Sequence, residues 1–390
     1  MKHLVSLTTL FVLAIARLAA QAATYDPLFE PQFAASQALG NAGIASGTGF
    51  SSLYLNPAGL VAAKPTFTLT SASLSSFFLP ESEALGRAAA AWKAPGSSGA
   101  LLSPFGQAAG FGGGAALGIG YTGSGLGLGL IASSELYAPP TGGSLGDASA
   151  RASLAFVGGL GFKLGSHLAV GGDVRPMVRI EIPSTPVGNL LAALQDSQAY
   201  GSSVPALYGV GVGLDLGARL TYRSFSYGLA LRDIAGTTIL YEPVTLSSLA
   251  TAVGSASPIG GSTGIQATIP MSLIAGMAFH PDLGTLSRIF DPSFEVDYQY
   301  SFVSPSPLLS QSPASLLLEG LRAGIDLRLI RFLRLRAGYE AGLASAGIGF
   351  HLSFVDVDAT IFSRVVEVAP PGLTNTAPEQ GATVGLTLHF

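Results

Sequence analysis

Apolar and polar residues alternate along most of this chain, in segments separated by clusters of Pro, Gly, Ser and Asp. A period of two sets successive side chains on opposite faces of a strand. The segments fall at 66–76, 86–94, 112–121, 125–138, 149–164, 167–182, 206–220, 222–235, 270–280, 292–303, 319–330, 332–341, 345–354, 355–367 and 381–390, and amount to about fourteen strands in one domain.

The C-terminal half shows what the alternation separates. In 321–330, Leu321, Ala323, Ile325, Leu327 and Leu329 share one parity, and Arg322, Asp326 and Arg328 the other. The next segment sets Leu333, Leu335, Ala337 and Tyr339 against Arg334, Arg336 and Glu340. Segment 294–302 sets Phe294, Val296, Tyr298, Tyr300 and Phe302 against Glu295, Asp297 and Gln299, and 355–361 sets Val355, Val357, Ala359 and Ile361 against Asp356 and Asp358. Each segment has one apolar and one ionised face. A soluble sandwich buries the apolar face, whereas a transmembrane barrel turns it to lipid and keeps the charges in its lumen. Periodicity alone leaves both open.

Composition favours the barrel. Of 390 residues 11% are charged and 48% apolar, with 51 glycines, against about 25% charged in an ordinary soluble domain. The N-terminus agrees: Lys2 and His3 precede the apolar run Leu4–Ile15 and a small-x-small site at Ala20-Gln21-Ala22, the anatomy of a cleaved export signal over residues 1–22. The uncharged stretch 94–134 is broken by Pro95, Pro104 and many glycines, which disfavours a spanning helix. Placing Arg322, Arg328, Arg334 and Arg336 in lipid would cost about 2–4 kcal/mol each near the midplane, so their shared parity is a constraint. The final segment puts Ala382, Val384, Leu386, Leu388 and Phe390 on one face. A strand closed by a terminal aromatic resembles the signal read by the outer-membrane assembly machinery. The expectation is an all-β outer-membrane barrel of about fourteen antiparallel strands, with the lipid bilayer as partner.

Residues 36–60 narrow the picture. They hold a Gly-rich run ending in Asn56-Pro57-Ala58-Gly59. The segment resembles the N-terminal plug region of the FadL-type long-chain fatty acid transporter family through Ala38, Leu39, Gly40, Gly43, Ser52, Tyr54, Asn56, Pro57, Ala58 and Gly59. Gly47, Thr48 and Gly49 stand where members often carry acids. The resemblance implies a signal peptide (1–22), a plug or hatch folded into the lumen (23–64) and a barrel (65–390). It also implies a ligand path near Phe33, Phe50, Leu53, Tyr54, Asn56, Pro57 and Ala58. On the residues alone, Asn56-Pro57 reads as a structural corner: proline forces the preceding residue extended, and the amide can satisfy backbone groups. Related barrels serve as secretion shuttles, so the resemblance does not separate transporter from shuttle.

Two loops carry a helical face. Val187, Leu190, Leu191 and Leu194 recur at i, i+3, i+4 and i+7 within 183–205, as do Leu246, Leu249, Ala250 and Val253 within 243–258. In the family such loops form a docking groove; the alternative is helices that pack on the barrel rim. The family's exit through the wall requires a strand kink, and the glycines at 112–114 and 158–161 are candidates.

Little points to bond chemistry. Without cysteine (Cys 0) there is no disulfide, thiolate metal site or cysteine nucleophile. Gly142–Gly146 and Gly260–Gly264 match a nucleophile-elbow pattern without its strand-to-helix setting, and Gly118–Gly123 matches a dinucleotide pattern without its βαβ unit. The five histidines are scattered, with no pair at metal-ligand spacing, so neither a cofactor nor a metal is expected. A net charge of −4 leaves no basic footprint for nucleic acid. The lumen charges (Glu295, Asp297, Arg322, Asp326, Arg328, Arg334, Arg336, Glu340, Asp356 and Asp358) are expected to pair into ladders that hold strand register. The function expected is passive uptake of hydrophobic or amphipathic small molecules, a long-chain fatty acid being the family's type. The alternatives are a barrel that carries or anchors secreted proteins, and a lipid hydrolase with a Ser and a His close together on adjacent lumen faces.

Overall fold

In a computed structural model the described residues are 24–78, 111–138, 147–255, 264–302, 318–365 and 378–390. Seventeen strands form one sheet. They are β1 (Thr24–Tyr25), β2 (Thr66–Phe78), β3 (Phe111–Gly123), β4 (Leu126–Ala138), β5 (Asp147–Leu164), β6 (Leu168–Pro186), β7 (Pro205–Tyr222), β8 (Phe225–Arg232), β9 (Thr237–Thr245), β10 (Ile265–Ile269), β11 (Ser272–Phe279), β12 (Phe290–Ser301), β13 (Leu321–Leu329), β14 (Leu333–Glu340), β15 (Leu343–Leu352), β16 (Val355–Val365) and β17 (Pro378–His389). Neighbours pair antiparallel from β2 around to β17, and β17 pairs with β2, which closes the barrel. Strands β8 and β9 both pair with β7 and form one broken stave, as do β10 and β11 against β9 and β8. With β1 set apart as a short parallel addition to β10, fourteen staves remain. No helix among the described residues is long and apolar enough to cross a membrane.

The faces decide between the two architectures. Ile325 is 45% exposed and Leu335 39%, while Asp297 is 1% exposed and Arg322 8%. Register explains this: Phe294 lies opposite Ile325 and Ile325 opposite Ala337 on the outer face, while Asp297, Arg322 and Glu340 form one inner row. The apolar side faces outward, the reverse of a soluble sandwich. The closing strand obeys the rule, with Val384, Leu386 and Phe390 exposed and Thr383 buried. The Phe390 backbone exchanges two 2.9 Å hydrogen bonds with Phe67, and its ring stacks on Phe354.

The strand count agrees with the sequence reading, but its composition differs. Segment 86–94 lies outside the described residues. Strands β9 and β10 were missed: Glu242 and Pro243 interrupt the first, and the second spans only five residues. The breaks in the wall also lie elsewhere. Gly112–Gly114 pair without interruption on both sides. Instead, the β8–β9 stave turns at 233–236, where Asp233, Ala235 and Gly236 take φ of 51°, 64° and 80°, and the β10–β11 stave breaks at Pro270–Met271. A third irregularity touches the other glycine candidate. The β5–β6 ladder pairs Ala155 with Met177 and resumes only at Gly158 with Val174. The intervening rungs are open because Pro176 has no N–H to donate.

The N-terminal segment 26–63 runs through the interior. It contains α1 (Ala34–Ala38) and two short 3₁₀ turns, Gly49–Leu53 and Pro57–Val61. The segment seats directly on the wall where strand glycines leave room. A Cβ at Gly217 would overlap the Asn56 side chain, and one at Gly338 would overlap the Gly40 backbone.

Candidate functional site

The interior has two unlike sides. Against β3–β6 and β9–β10, the segment builds an apolar cluster: Phe29, Phe33, Leu53, Tyr54 and Leu60 meet Ile131, Val157, Met177, Ile239 and Ile269, with Phe50 and Leu55 packed alongside. Phe33 sits edge-on to Phe50 with ring centres 5.9 Å apart and tilts over Tyr54 at 5.5 Å. The Tyr54 hydroxyl lies 3.0 Å from Ser36 Oγ, and burial pushes its phenol up to about 12 despite that hydrogen bond. The sequence-expected Phe33, Phe50, Leu53 and Tyr54 therefore do come together.

Asn56, Pro57 and Ala58 are buried but serve the backbone. Asn56 caps the second 3₁₀ turn by accepting from the Ala58 N–H (3.0 Å), and its amide donates to the carbonyls of Ile44 (2.9 Å), Ala218 (3.3 Å) and Leu229 (3.5 Å). Its polar atoms are taken up by protein backbone, the arrangement a structural corner calls for.

Against β12–β17 the interior is ionic. Asp297 accepts from the N–H groups of Gly43 (2.7 Å) and Ile44 (3.0 Å). Arg322 reaches Glu30 at 2.8 Å and Glu340 at 3.0 Å, and Asn41 donates to Glu340 at 2.8 Å. Asp326 takes Arg334 at 3.2 Å and Arg336 at 3.4 Å, Arg336 also pairs with Asp358, and Arg328 with Asp291. The expected ladder exists along Asp326, Arg334, Arg336 and Asp358. Asp297, Arg322 and Glu340 do something else: they grip the N-terminal segment. One oxygen of Glu295, Oε2, is buried without a hydrogen-bond partner.

A second buried charge group escaped the sequence reading. Arg175, fully buried, donates to Asp215 (2.6 Å) and Asp233 (2.7 Å), and its guanidinium lies over the Phe29 ring at 5.6 Å. Asp233 also accepts from Thr237 Oγ1 (2.7 Å), and its N–H donates to Asp215 (2.8 Å). These bonds over-determine the left-handed residues of the β8–β9 turn, which is how such strain persists. Next to it, Arg232 donates to the Phe29 carbonyl (3.0 Å), Arg179 to the Pro27 carbonyl (3.1 Å), and the Tyr241 hydroxyl to Asp26 (2.7 Å). Residues 26–30 are thus strapped to the broken staves. The signal was present: Asp173, Arg175, Arg179 and Glu181 share one parity of β6.

On the outer face, beside the open rungs, lies an apolar cavity of about 590 Å³ lined by Leu130, Leu154, Phe156, Pro176, Met177, Val178, Val210, Gly211, Val212, Thr238 and Leu240. Met177 belongs both to this lining and to the inner apolar cluster.

The two helical loops fold as expected into α2 (Val187–Gln195) and α4 (Leu246–Ser255), with α3 (Ser197–Tyr200) between β6 and β7. Leu190 and Leu249 are buried with Ala138, Ala148, Ile182 and Ala206, and Leu246 packs against that cluster. At these positions the loops fill their own groove and cap the barrel rim. The side chains of Leu191, Leu194 and Val253 lie outside the described ones. The motif Gly142–Gly146 and all but the last residue of Gly260–Gly264 lie outside the described residues, and Gly118–Gly123 is strand β3. A Ser–His contact occurs at Ser166 Oγ and His167 Nδ1 (2.6 Å), in the exposed β5–β6 turn. His351, Asp356 and His389, which spacing along the chain does not connect, come together on β15–β17.

With this geometry in view, comparison with known proteins is informative. No protein-family model matches the chain, and no curated protein matches it in sequence. Solved structures do match. The toluene transporter TodX of P. putida aligns over 93% of this chain and 99% of its own, at a TM-score of 0.50 and 12% identity. The CymD monoaromatic hydrocarbon channel aligns over 93% and 98%, at a TM-score of 0.50 and 13% identity. The fold is the one these barrels share. At such identities the likeness is one of fold, and it agrees with the resemblance carried by residues 36–60.

Proposed function

We propose that this barrel sits in an outer membrane and passes hydrophobic or amphipathic small molecules from outside into the bilayer without an energy source. The observation that carries the reading is Met177. It joins the apolar cluster inside to the apolar cavity outside, at the point where the β5–β6 ladder is open. An apolar solute held among Phe33, Phe50, Leu53 and Tyr54 would cross the wall there, away from the charges of β12–β17, beside Met177 between the ion-paired Arg175 and Arg179. Residues 26–63 act as the plug on this path, and their release from the apolar side opens it. The short-turn end faces the periplasm and the helical loops face outward, as in other such barrels. Residues 1–22 direct export and are removed, and the strand ending in Phe390 is presented to the assembly machinery. Long-chain fatty acids, and the monoaromatic hydrocarbons handled by the two channels above, are the substrate classes to try. The reading assigns no bond-making step to the protein.

The test is uptake of a labelled fatty acid and of labelled toluene by cells with and without the protein. Uptake should rise with the protein and fall several-fold in Val212→Phe, which fills the outer cavity from an exposed position, while Leu386→Phe on the opposite wall leaves it unchanged. Equal uptake with and without the protein sinks the reading. The alternative, a barrel that carries or anchors secreted proteins, predicts stable co-purification with a protein partner and indifference to Val212→Phe.

A further inference from the structure

At the short-turn mouth, three staves place nitrogen and oxygen donors around one point. His351 on β15 is the direct cross-strand partner of Asp356 on β16. Asp356 lies opposite Thr387 on β17, and His389 follows two residues later on the same face. The His351 Nδ1 contacts one Asp356 oxygen, and the His389 Nδ1 lies 3.8 Å from the other. The two imidazoles are nearly parallel, with centres 5.5 Å apart and planes 7° apart. The backbone beneath is fixed: the His389 N–H donates to the Phe354 carbonyl (3.0 Å), the His351 N–H to the Phe332 carbonyl (2.7 Å), and the Phe354 and Phe390 rings stack.

We propose that His351, Asp356 and His389 bind one divalent transition-metal cation of the zinc class at the mouth of the barrel. The donor atoms lie within 4.8 Å of one another. A tetrahedral zinc with bonds of about 2.0–2.2 Å holds its donors roughly 3.3–3.5 Å apart, so a side-chain adjustment of about 1.5 Å completes the set. Two imidazoles and one carboxylate suit zinc, copper or nickel and not calcium or magnesium, which want more oxygens. Three protein donors leave a fourth position to water, on the side where all three residues are part-exposed. The bound ion would join the closing strand β17 to β16 and, across it, to β15. Among the described residues, no other group of His, Asp and Glu side chains meets this geometry.

The test uses the full-length barrel in detergent, stripped with a chelator and titrated with Zn²⁺ against a chromophoric competitor. One zinc per chain should bind, and His351→Gln and Asp356→Asn should each weaken it at least tenfold. His167→Gln and His280→Gln, at the other described histidines, should leave it unchanged. His389→Gln is read only in samples whose heat-shifted gel mobility shows a closed barrel, because it lies in the final strand. Cobalt should give a visible d–d band that His351→Gln abolishes. Absence of stoichiometric binding, or wild-type affinity in His351→Gln and Asp356→Asn, overturns the proposal.

Discussion

The two sides of the lumen follow one strand grammar and reach opposite ends. Along β12–β17 each wall pair is continuous, and inward charges hold the N-terminal segment through Asp297, Arg322 and Glu340. Along β5–β11 the inward face sets apolar residues beside the ion pairs around Arg175, and the wall is interrupted at Pro176, at 233–236 and at Pro270–Met271. Charge pairs are directional and lock register, while apolar contacts tolerate sliding and a missing rung. On the function proposed above, the comparison teaches where movement would be built in: the continuous side would anchor the segment and the interrupted side would carry the route.

The largest expected effect breaks the Arg175 ion pairs on the interrupted side. Arg175→Ala leaves Asp215 and Asp233 buried without their cation and frees the left-handed turn they hold. The loss should be about 3–5 kcal/mol, by analogy with other buried pairs stripped of one partner. The readout is the temperature at which gel mobility shifts, with hydrogen exchange locating the change at 232–245. If exchange rises equally along β12–β17, the two sides are not separable.

A smaller effect sharpens the role of the corner. Asn56→Ala removes a cap and the donors to Ile44, Ala218 and Leu229, and should cost about 1–3 kcal/mol. Protease sensitivity should appear at 40–60 while the barrel stays closed. If uptake vanishes with no change in protection, Asn56 touches solute after all.

The smallest effect is set by pH. Burial pushes the Glu30 carboxyl up, but the guanidiniums of Arg322, Arg232 and Arg364 together outweigh it and hold Glu30 below the usual carboxylate range. A depressed carboxyl contributes its full stability above the unfolded-state value and loses it as pH falls through the folded one. Acidification below the usual carboxylate range should therefore lower the protection of 26–33 against exchange, relative to the intrinsic rate at each pH, before the strands respond. Unchanged protection there would show that the Arg322–Glu30 pair does not hold the strap.

Period-two alternation sorted the residues of each strand into an apolar and an ionised face, the ten lumen charges among them, because a strand's two faces are a local property of the chain. The scarcity of charge, the export-signal anatomy and the terminal aromatic strand then pointed the apolar face outward. The plug-like segment was legible in the glycines and Asn56-Pro57 of residues 36–60. The partners of those residues were not. Whether Arg322 pairs with Glu340 or with Glu30, and whether Arg175 braces a turn or lines a path, depends on segments hundreds of residues apart meeting in one closed ring. The breaks escaped for a related reason. Glycine content pointed to Gly112–Gly114, yet a glycine inside a well-paired ladder weakens without opening it, whereas Pro176 removes a donor outright. The histidines show the same limit: spacing along the chain says nothing of three strands that close a barrel side by side. Local sequence fixed what each face is made of, and only closure of the ring decided what faces what.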